Sequence, residues 1–411
     1  MGYDAEPRGS PTRREFAKYG GAVIGGGLLA GCTGQDESGS TGGPDPADTK
    51  TGAASQDTAT ENSYSVTMSP VGTLEFERPP KDLFVVFQHF ADMATALGFG
   101  DLVQETWYAT MTRDTLGTFC GELDVTTPDW DAVESLRSWP PMTKERLYEL
   151  DRDIHLVDPV YLTTTKGWEQ ADIDEISQNV GPWFGNTYSG SHGTPPKAHQ
   201  ETYEYYTLWE IFERFAQIFR EQERYEALVD LHTEVIEEIE SNLPPKSERP
   251  TVTRLNFTND TFYAYHLNDP GFWLADSRPF ELNDVFADRE WDGLWSSFGY
   301  EEMLEADPDV ILNLWGMTEE YPVGQARETI KSHSVGKNLS AIKNDRFYPH
   351  GIRYQGPIMN LFQMEMIGKQ VYPEQFGEWP EYRAGDPYPD FPEERQLFDR
   401  ERLSNIINGD L

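Results

Sequence analysis

The chain of 411 residues has two cysteines, Cys32 and Cys120. That count excludes a disulfide scaffold, a Cys-rich zinc site and an iron–sulfur cluster. Basic residues are also scarce. Lys plus Arg number 33 against 71 Asp plus Glu, for a formal charge of -38. A nucleic-acid binder needs a basic face to displace counterions, so that class is excluded, as is electrostatic docking on anionic lipid. The motifs HExxH, GxSxG and GxxxxGKS/T are absent, which leaves metalloprotease, α/β-hydrolase and P-loop chemistry without support. Carboxylates are so abundant that no pair of them singles out an acid–base site, and no catalytic residue is assigned.

What is present supplies a core. Apolar residues make up 37% of the chain and aromatic residues 13%, enough to rule out simple disorder. The length suggests two domains. Of the basic residues only 11 are Lys. Abundant carboxylates with little Lys resemble proteins of salt-loving microbes. In molar salt, screening shrinks to roughly 3 Å, so self-repulsion matters little.

The first 31 residues read as an address. Thr12-Arg13-Arg14-Glu15-Phe16-Ala17-Lys18 resembles a twin-arginine export signal. The stretch Gly20 to Ala30 that follows is too short and too Gly-rich to span a bilayer permanently. It ends in Leu29-Ala30-Gly31-Cys32, which resembles a lipobox with Cys32 as the lipidated residue. Residues 32–63, rich in Ser, Thr, Gly and Asp, form an expected flexible tether. The protein is therefore expected on the extracellular face of the cell membrane, held by a lipid anchor. Sequons at Asn256, Asn259 and Asn338 are compatible with a glycosylated surface.

Two lobes are legible beyond the tether. Leu83 to Phe87 reads as a strand, and Phe90 to Leu97 as a helix closed by Gly98 and Gly100. Glu145 to Leu150 reads as a helix that turns directly into a strand at Ile154. The same design recurs at Glu301 to Ala306 and Val310, with a constant offset of 156 residues. One helix-to-strand unit repeated at domain-length spacing predicts two lobes of like topology. Between them, Leu208, Phe212, Phe215, Phe219, Leu228, Val235 and Ile239 recur at helical spacing. A single helix of about 40 residues would be roughly 60 Å long, and the alternative is two shorter helices with a break near Gln222. The expected fold class is α/β: two Rossmann-like lobes with mainly parallel sheets, residues 64–201 and 244–375, joined by one long backbone helix, 202–243. A ligand cleft lies between the lobes, at strand carboxyl ends. Residues 376–411 form an acidic, Pro-rich tail of no assigned role.

With these features in order, the sequence resembles ABC-importer substrate-binding proteins for iron–siderophores, haem and vitamin B12. The motifs that carry the resemblance are the opening strand with the turn Ala96 to Asp101, both helix-to-strand units, the strut, and the segment Arg346 to Pro357. It spans about residues 65–375. It departs at insertions near Asp114 to Pro141 and in the tail. The resemblance implies a binding protein rather than an enzyme, a monomer, with an ABC permease and its ATPase as partners. It implies a ferric siderophore as ligand, with a corrinoid, haem or another metal chelate as alternatives, and no resident cofactor. It also implies ligand contact at Arg353 and permease docking through Glu145 and Glu301. The rival function class is an extracellular lipoprotein hydrolase or redox enzyme, which substrate turnover or a bound redox cofactor would reveal.

Candidate ligand contacts follow from the load of aromatic, His and Arg residues on segments that leave strands. They are Gln88 and His89 in the first lobe, with Trp183, Tyr188 and His192 in its Gly-rich loop. In the second lobe they are Tyr263, His266, Trp315, Arg353 and Tyr354. Flat side chains suit an aromatic or planar ligand, and an Arg fork suits carboxylate or catecholate oxygens. A direct metal site on His89, His192, His266 and Tyr188 has no short-spaced motif behind it, and none is assigned.

Overall fold

The computed structural model describes residues 63–136, 142–291 and 293–411. They lie in one compact unit, Thr58–Leu411. The export signal, Cys32 and almost all of the tether fall outside the described residues. No helix among the described residues is long and apolar enough to cross a membrane.

The unit opens with a hairpin, β1 (Tyr64–Met68) and β2 (Gly72–Phe76). The first lobe follows with β3 (Leu83–Val85), α1 (Gln88–Ala96), β4 (Glu105–Thr106), β5 (Glu134–Ser135), α2 (Lys144–Leu150) and β6 (Ile154–Leu156). Its pairings, β3 with β6 and β4 with β5, are parallel. The two pairs meet where Trp107 N–H donates to the Val86 carbonyl at 2.8 Å.

Next come two helices, α3 (Leu208–Phe219) and α4 (Gln222–Asn242). The second lobe contains β7 (Thr251–Thr258), β8 (Thr261–Tyr265), β9 (Asn283–Asp284), β10 (Ser296–Phe298), α5 (Tyr300–Ala306), β11 (Val310–Asn313) and β12 (Phe347–Pro349). Its strands form one sheet in the order β10-β8-β7-β11-β12, with β9 beside β7. Finally α6 (Pro357–Val371) runs through the core and α7 (Arg400–Asn408) closes the tail.

The repeat holds at the level of single hydrogen bonds. Both α2 and α5 end on a left-handed Asp, Asp151 at φ 48° and Asp307 at φ 41°. Asp tolerates this conformation better than bulkier residues because its side chain is short and polar. Two residues later, Asp153 Oδ2 accepts Lys81 N–H at 2.7 Å, and Asp309 Oδ2 accepts Thr251 N–H at 2.8 Å. Each carboxylate ties its own strand to the first strand of its lobe. The registers match too, Leu83 with Ile154 and Val252 with Val310.

Three expectations change. The second lobe's sheet is mixed, because β8 and β10 run antiparallel to their neighbours. The cause is a two-residue turn, Asn259-Asp260, with φ of 49° and 56°. Positive φ at both positions is the twist that suits a tight hairpin, and Asn and Asp tolerate it. That turn exposes Asn259, whereas Asn256 is 3% exposed within β7 and closed to glycosylation.

The single backbone helix is two helices. Arg220 is left-handed at φ 60°, and the Glu221 and Arg220 N–H groups close back on Ala216 and Gln217. This is a Schellman stop. The opening hairpin supports it: the Arg220 guanidinium lies 4.2 Å from the Tyr64 ring centre, and the Tyr64 hydroxyl donates to the Ile218 carbonyl. The segment also starts later than expected, since Thr207 caps α3 and bonds Glu210 N–H.

The tail is structural. Trp379, Tyr382, Tyr388, Phe391, Phe398, Leu403, Ile406 and Ile407 are all buried. Buried Glu365 of α6 holds it, accepting from Tyr388 Oη at 2.7 Å, Arg400 Nη2 at 2.6 Å and Leu397 N–H at 2.6 Å. A buried carboxylate persists only when paired in this way.

Candidate functional site

The segment after β12 and the start of α6 sits where the lobes meet. It carries Arg353 and Tyr354 a few residues before a helix whose N-terminus is capped from the other lobe. Asp92 of α1, fully buried, accepts the N–H groups of Gly356 at 3.0 Å, Ile358 at 2.9 Å and Met359 at 2.8 Å. Burial pushes the Asp92 carboxyl up to about 7, against the pull of those three donors.

Tyr354 is buried. It stacks on Phe87 of the first lobe at 4.7 Å and 10°, and meets Trp273 of the second edge-on at 5.1 Å. Beside this stack lies a cavity of about 400 Å³, lined by His192 from the first lobe and by Arg254, Tyr265, His266, Trp273 and Arg353 from the second. The Arg353 guanidinium lies 4.5 Å from the Trp273 ring centre, 5.2 Å from Tyr354 and 5.9 Å from Trp315. Its Nε and Nη1 are buried without a hydrogen-bond partner. His192 stacks on Tyr205 at 4.6 Å, and burial lowers its pKa. His266 stacks on Trp291 at 3.8 Å, and its bond to Asp284 raises its pKa.

Of the expected contacts, Arg353, His192 and His266 line the cavity. Trp315, left-handed at φ 64°, flanks Arg353. Tyr188 stands behind the His192 loop, edge-on to Tyr161 and Tyr203. The others do not line the cavity. Trp183 is 2% exposed, and its Nε1 donates to the Ile173 carbonyl at 3.0 Å in the first lobe's core. Gln88 donates to the Trp107 carbonyl at 2.9 Å. Tyr263 lies in β8 opposite Asn256 and Ser297. His89 is buried among Phe90, Phe272 and Tyr354, and burial drives its pKa down to about 3. Among the described residues no three His, Cys, Asp or Glu are arranged to hold a metal ion. Glu145 and Glu301 are exposed in the first turns of α2 and α5.

Sequence reasoning missed a buried charged network beneath the cavity. Arg254 Nη2 donates to both Asp276 oxygens at 3.0 and 2.9 Å, and His350 Nε2 lies 2.8 Å from Asp276 Oδ2. Burial pushes Asp276 up, but Arg254 and His350 outweigh it and hold the carboxyl well below the usual range. The available signal was a lone Arg inside the strand TVTRLNFT.

A family model described as periplasmic binding protein matches residues 145–351. Among solved structures, a periplasmic solute binding protein from Veillonella parvula superposes with TM-score 0.54 at 15% identity, covering 77% of this chain and 89% of that one. An iron uptake ABC transporter substrate-binding protein from Streptococcus pneumoniae gives 0.52 at 14%, covering 75% and 98%. A protein of an ABC-type Fe3+-hydroxamate transport system from Saccharomonospora viridis gives 0.50 at 17%, covering 75% and 99%. At these identities the likeness is one of fold. No curated protein is detectably similar in sequence.

The packing role of His89 has a pH signature. Its folded pKa of about 3 lies below the unfolded value of about 6.5. The unfolded chain therefore binds the proton first on acidification. Stability is whole above about 6.5 and falls toward the folded pKa, by about 1.4 kcal/mol per pH unit for this one group. His89→Phe should flatten the acid limb of unfolding free energy by that slope between about pH 6.5 and 4. Equal slopes for variant and parent in denaturant titrations would contradict the packing role.

Proposed function

The chain belongs to the periplasmic binding protein family, and on that premise we propose that it captures a ferric siderophore and hands it to an ABC permease with its ATPase. It is a binding protein rather than an enzyme, of a family that works outside the cytoplasmic membrane. The observation that carries the reading is Arg353. Its guanidinium is poised over Trp273, Tyr354 and Trp315, with buried donors left open at the edge of an interlobe cavity. Aromatic faces suit the flat chelating groups of a siderophore, and a fixed Arg fork suits their oxygens. Two proteins of similar fold, from S. pneumoniae and S. viridis, are named for iron or Fe3+-hydroxamate transport.

The reading includes a lipid anchor at Cys32 and docking through Glu145 and Glu301. One exposed carboxylate per lobe, at equivalent helix starts, would register the cleft over the permease.

Three experiments test this. Arg353→Met should weaken binding of a ferric siderophore by ~2 kcal/mol, roughly thirtyfold, as for a lost charge-assisted bond. An unchanged dissociation constant in a folded variant removes Arg353 from the site. In cells, Glu145→Arg with Glu301→Arg should abolish iron uptake and leave affinity within about twofold, because neither side chain reaches the cavity. Cys32→Ser should shed the protein from membranes. Normal uptake by the double reversal, or a Cys32→Ser protein that pellets like the parent, would refute the corresponding part.

A further inference from the structure

The chain carries three sequons, at Asn256, Asn259 and Asn338, and we infer that Asn259 alone is glycosylated, with an oligosaccharide on its side-chain amide nitrogen. This modification is independent of solute capture. It needs only the family's location outside the cytoplasmic membrane and a chain that is folded when the sugar arrives. A sequon presents two groups, the Asn amide that takes the sugar and the hydroxyl two residues later. In a folded protein both have to be within reach of an enzyme. Pulling a buried, bonded group out costs its hydrogen bonds and its burial.

Asn259 meets that condition. It stands at the tip of the β7–β8 hairpin, beyond the last ladder pair, Thr258 with Thr261. Asn259 and Asp260 are both exposed, and their positive φ values make the tight turn. The Asn259 side-chain amide has no partner among the described residues. The Thr261 hydroxyl donates to the Asn259 carbonyl at 3.3 Å on the same exposed turn. The amide and the hydroxyl of this sequon therefore lie together at a loop tip, where additions are tolerated.

The other two sequons are tied into the fold. Asn256 is 3% exposed within β7, and its Nδ2 donates to the Leu314 carbonyl at 3.4 Å. The residue after it, Phe257, is buried in the second lobe's core, and Thr258 belongs to the strand ladder. Asn338 ends a single 3-10 turn, and its Nδ2 donates to the Ser334 carbonyl at 3.2 Å. Leu339, the middle residue of that sequon, is fully buried. The hydroxyl it requires, on Ser340, donates to Asp307 Oδ2 at 2.8 Å, while the Ser340 N–H donates to Asp307 Oδ1 at 2.7 Å. Asp307 is the left-handed residue that ends α5, so the repeated helix-to-strand unit itself holds this hydroxyl. Freeing either sequon means opening the second lobe's core.

In the transfer, Asn259 Nδ2 forms a bond to the anomeric carbon of a lipid-linked oligosaccharide. The bond from that carbon to the lipid's phosphate oxygen breaks, and the lipid phosphate leaves with one amide proton. Peptide mass spectrometry on the full chain purified from its own cells tests the site. Asn256 and Asn259 share one tryptic peptide, so fragmentation has to place the sugar. A sugar mass is expected on Asn259, and none on Asn256 or Asn338. Thr261→Ala should remove it, and Thr261→Ser should retain it. Both variants keep Asn259 itself, so a mass shift from chemical damage there would survive Thr261→Ala. No sugar on Asn259, a shift that survives Thr261→Ala, or sugar on Asn256 or Asn338 overturns the inference. Siderophore affinity enters none of these readouts, so their outcome stands apart from the reading of the cavity.

Discussion

Asp92 of the first lobe reaches the start of α6 and accepts three of its N–H groups. Helix starts leave such donors unsatisfied, and inside a core they need an acceptor. All fifteen residues of α6 are buried, so water cannot serve. One carboxylate therefore fixes the angle at which the chain enters the helix. Gly356 has no room for a side chain here, since a Cβ would stand 2.6 Å from the Asp92 side chain. Tyr354 and Arg353 stand two and three residues before this cap. Their positions relative to the first lobe follow from the cap and from the stack of Tyr354 on Phe87.

The rest of the architecture reinforces the same junction. Asp114, in the first lobe's insertion, accepts Glu319 N–H from the second lobe at 3.0 Å. The tail packs Tyr388 between Phe119 of the insertion and Phe362 of α6. Asn408 at its end donates to the Asp124 carbonyl at 2.6 Å. A broken backbone helix would by itself allow bending at Arg220. The opening hairpin packs against that break through Tyr64, and the tail ties α6 to the first lobe's insertion. Preorganisation of this kind lowers the ordering cost of binding.

Much of this was legible in the sequence where the cause was local. The 156-residue repeat survived because each copy needs the same left-handed Asp and the same strand-tying Asp two residues on. The Asn259-Asp260 turn, flanked by β-branched Thr, signalled a hairpin that the parallel-sheet expectation passed over. What was not legible depended on distant partners. A helix break near Gln222 was an open alternative in the sequence, but its support by Tyr64, far back in the chain, was not visible. Arg254, Asp276 and His350 come from three separate segments and look unrelated in sequence. Aromatic type alone did not say which face a side chain would take. Trp183 and His89 sit beside strand ends yet turn inward, because the first lobe's short strands need their bulk to fill the core.

The most direct test of the capped junction is amide hydrogen exchange at Ile358 and Met359 in the solute-free protein. Exchange reports how often a donor is released from its acceptor. If Asp92 fixes the junction, both amides should be as protected as those of the central strands β7 and β11. Exchange as fast as in the exposed Asn259-Asp260 turn would mean that the cap opens freely, and the account of a pre-shaped cavity would fail.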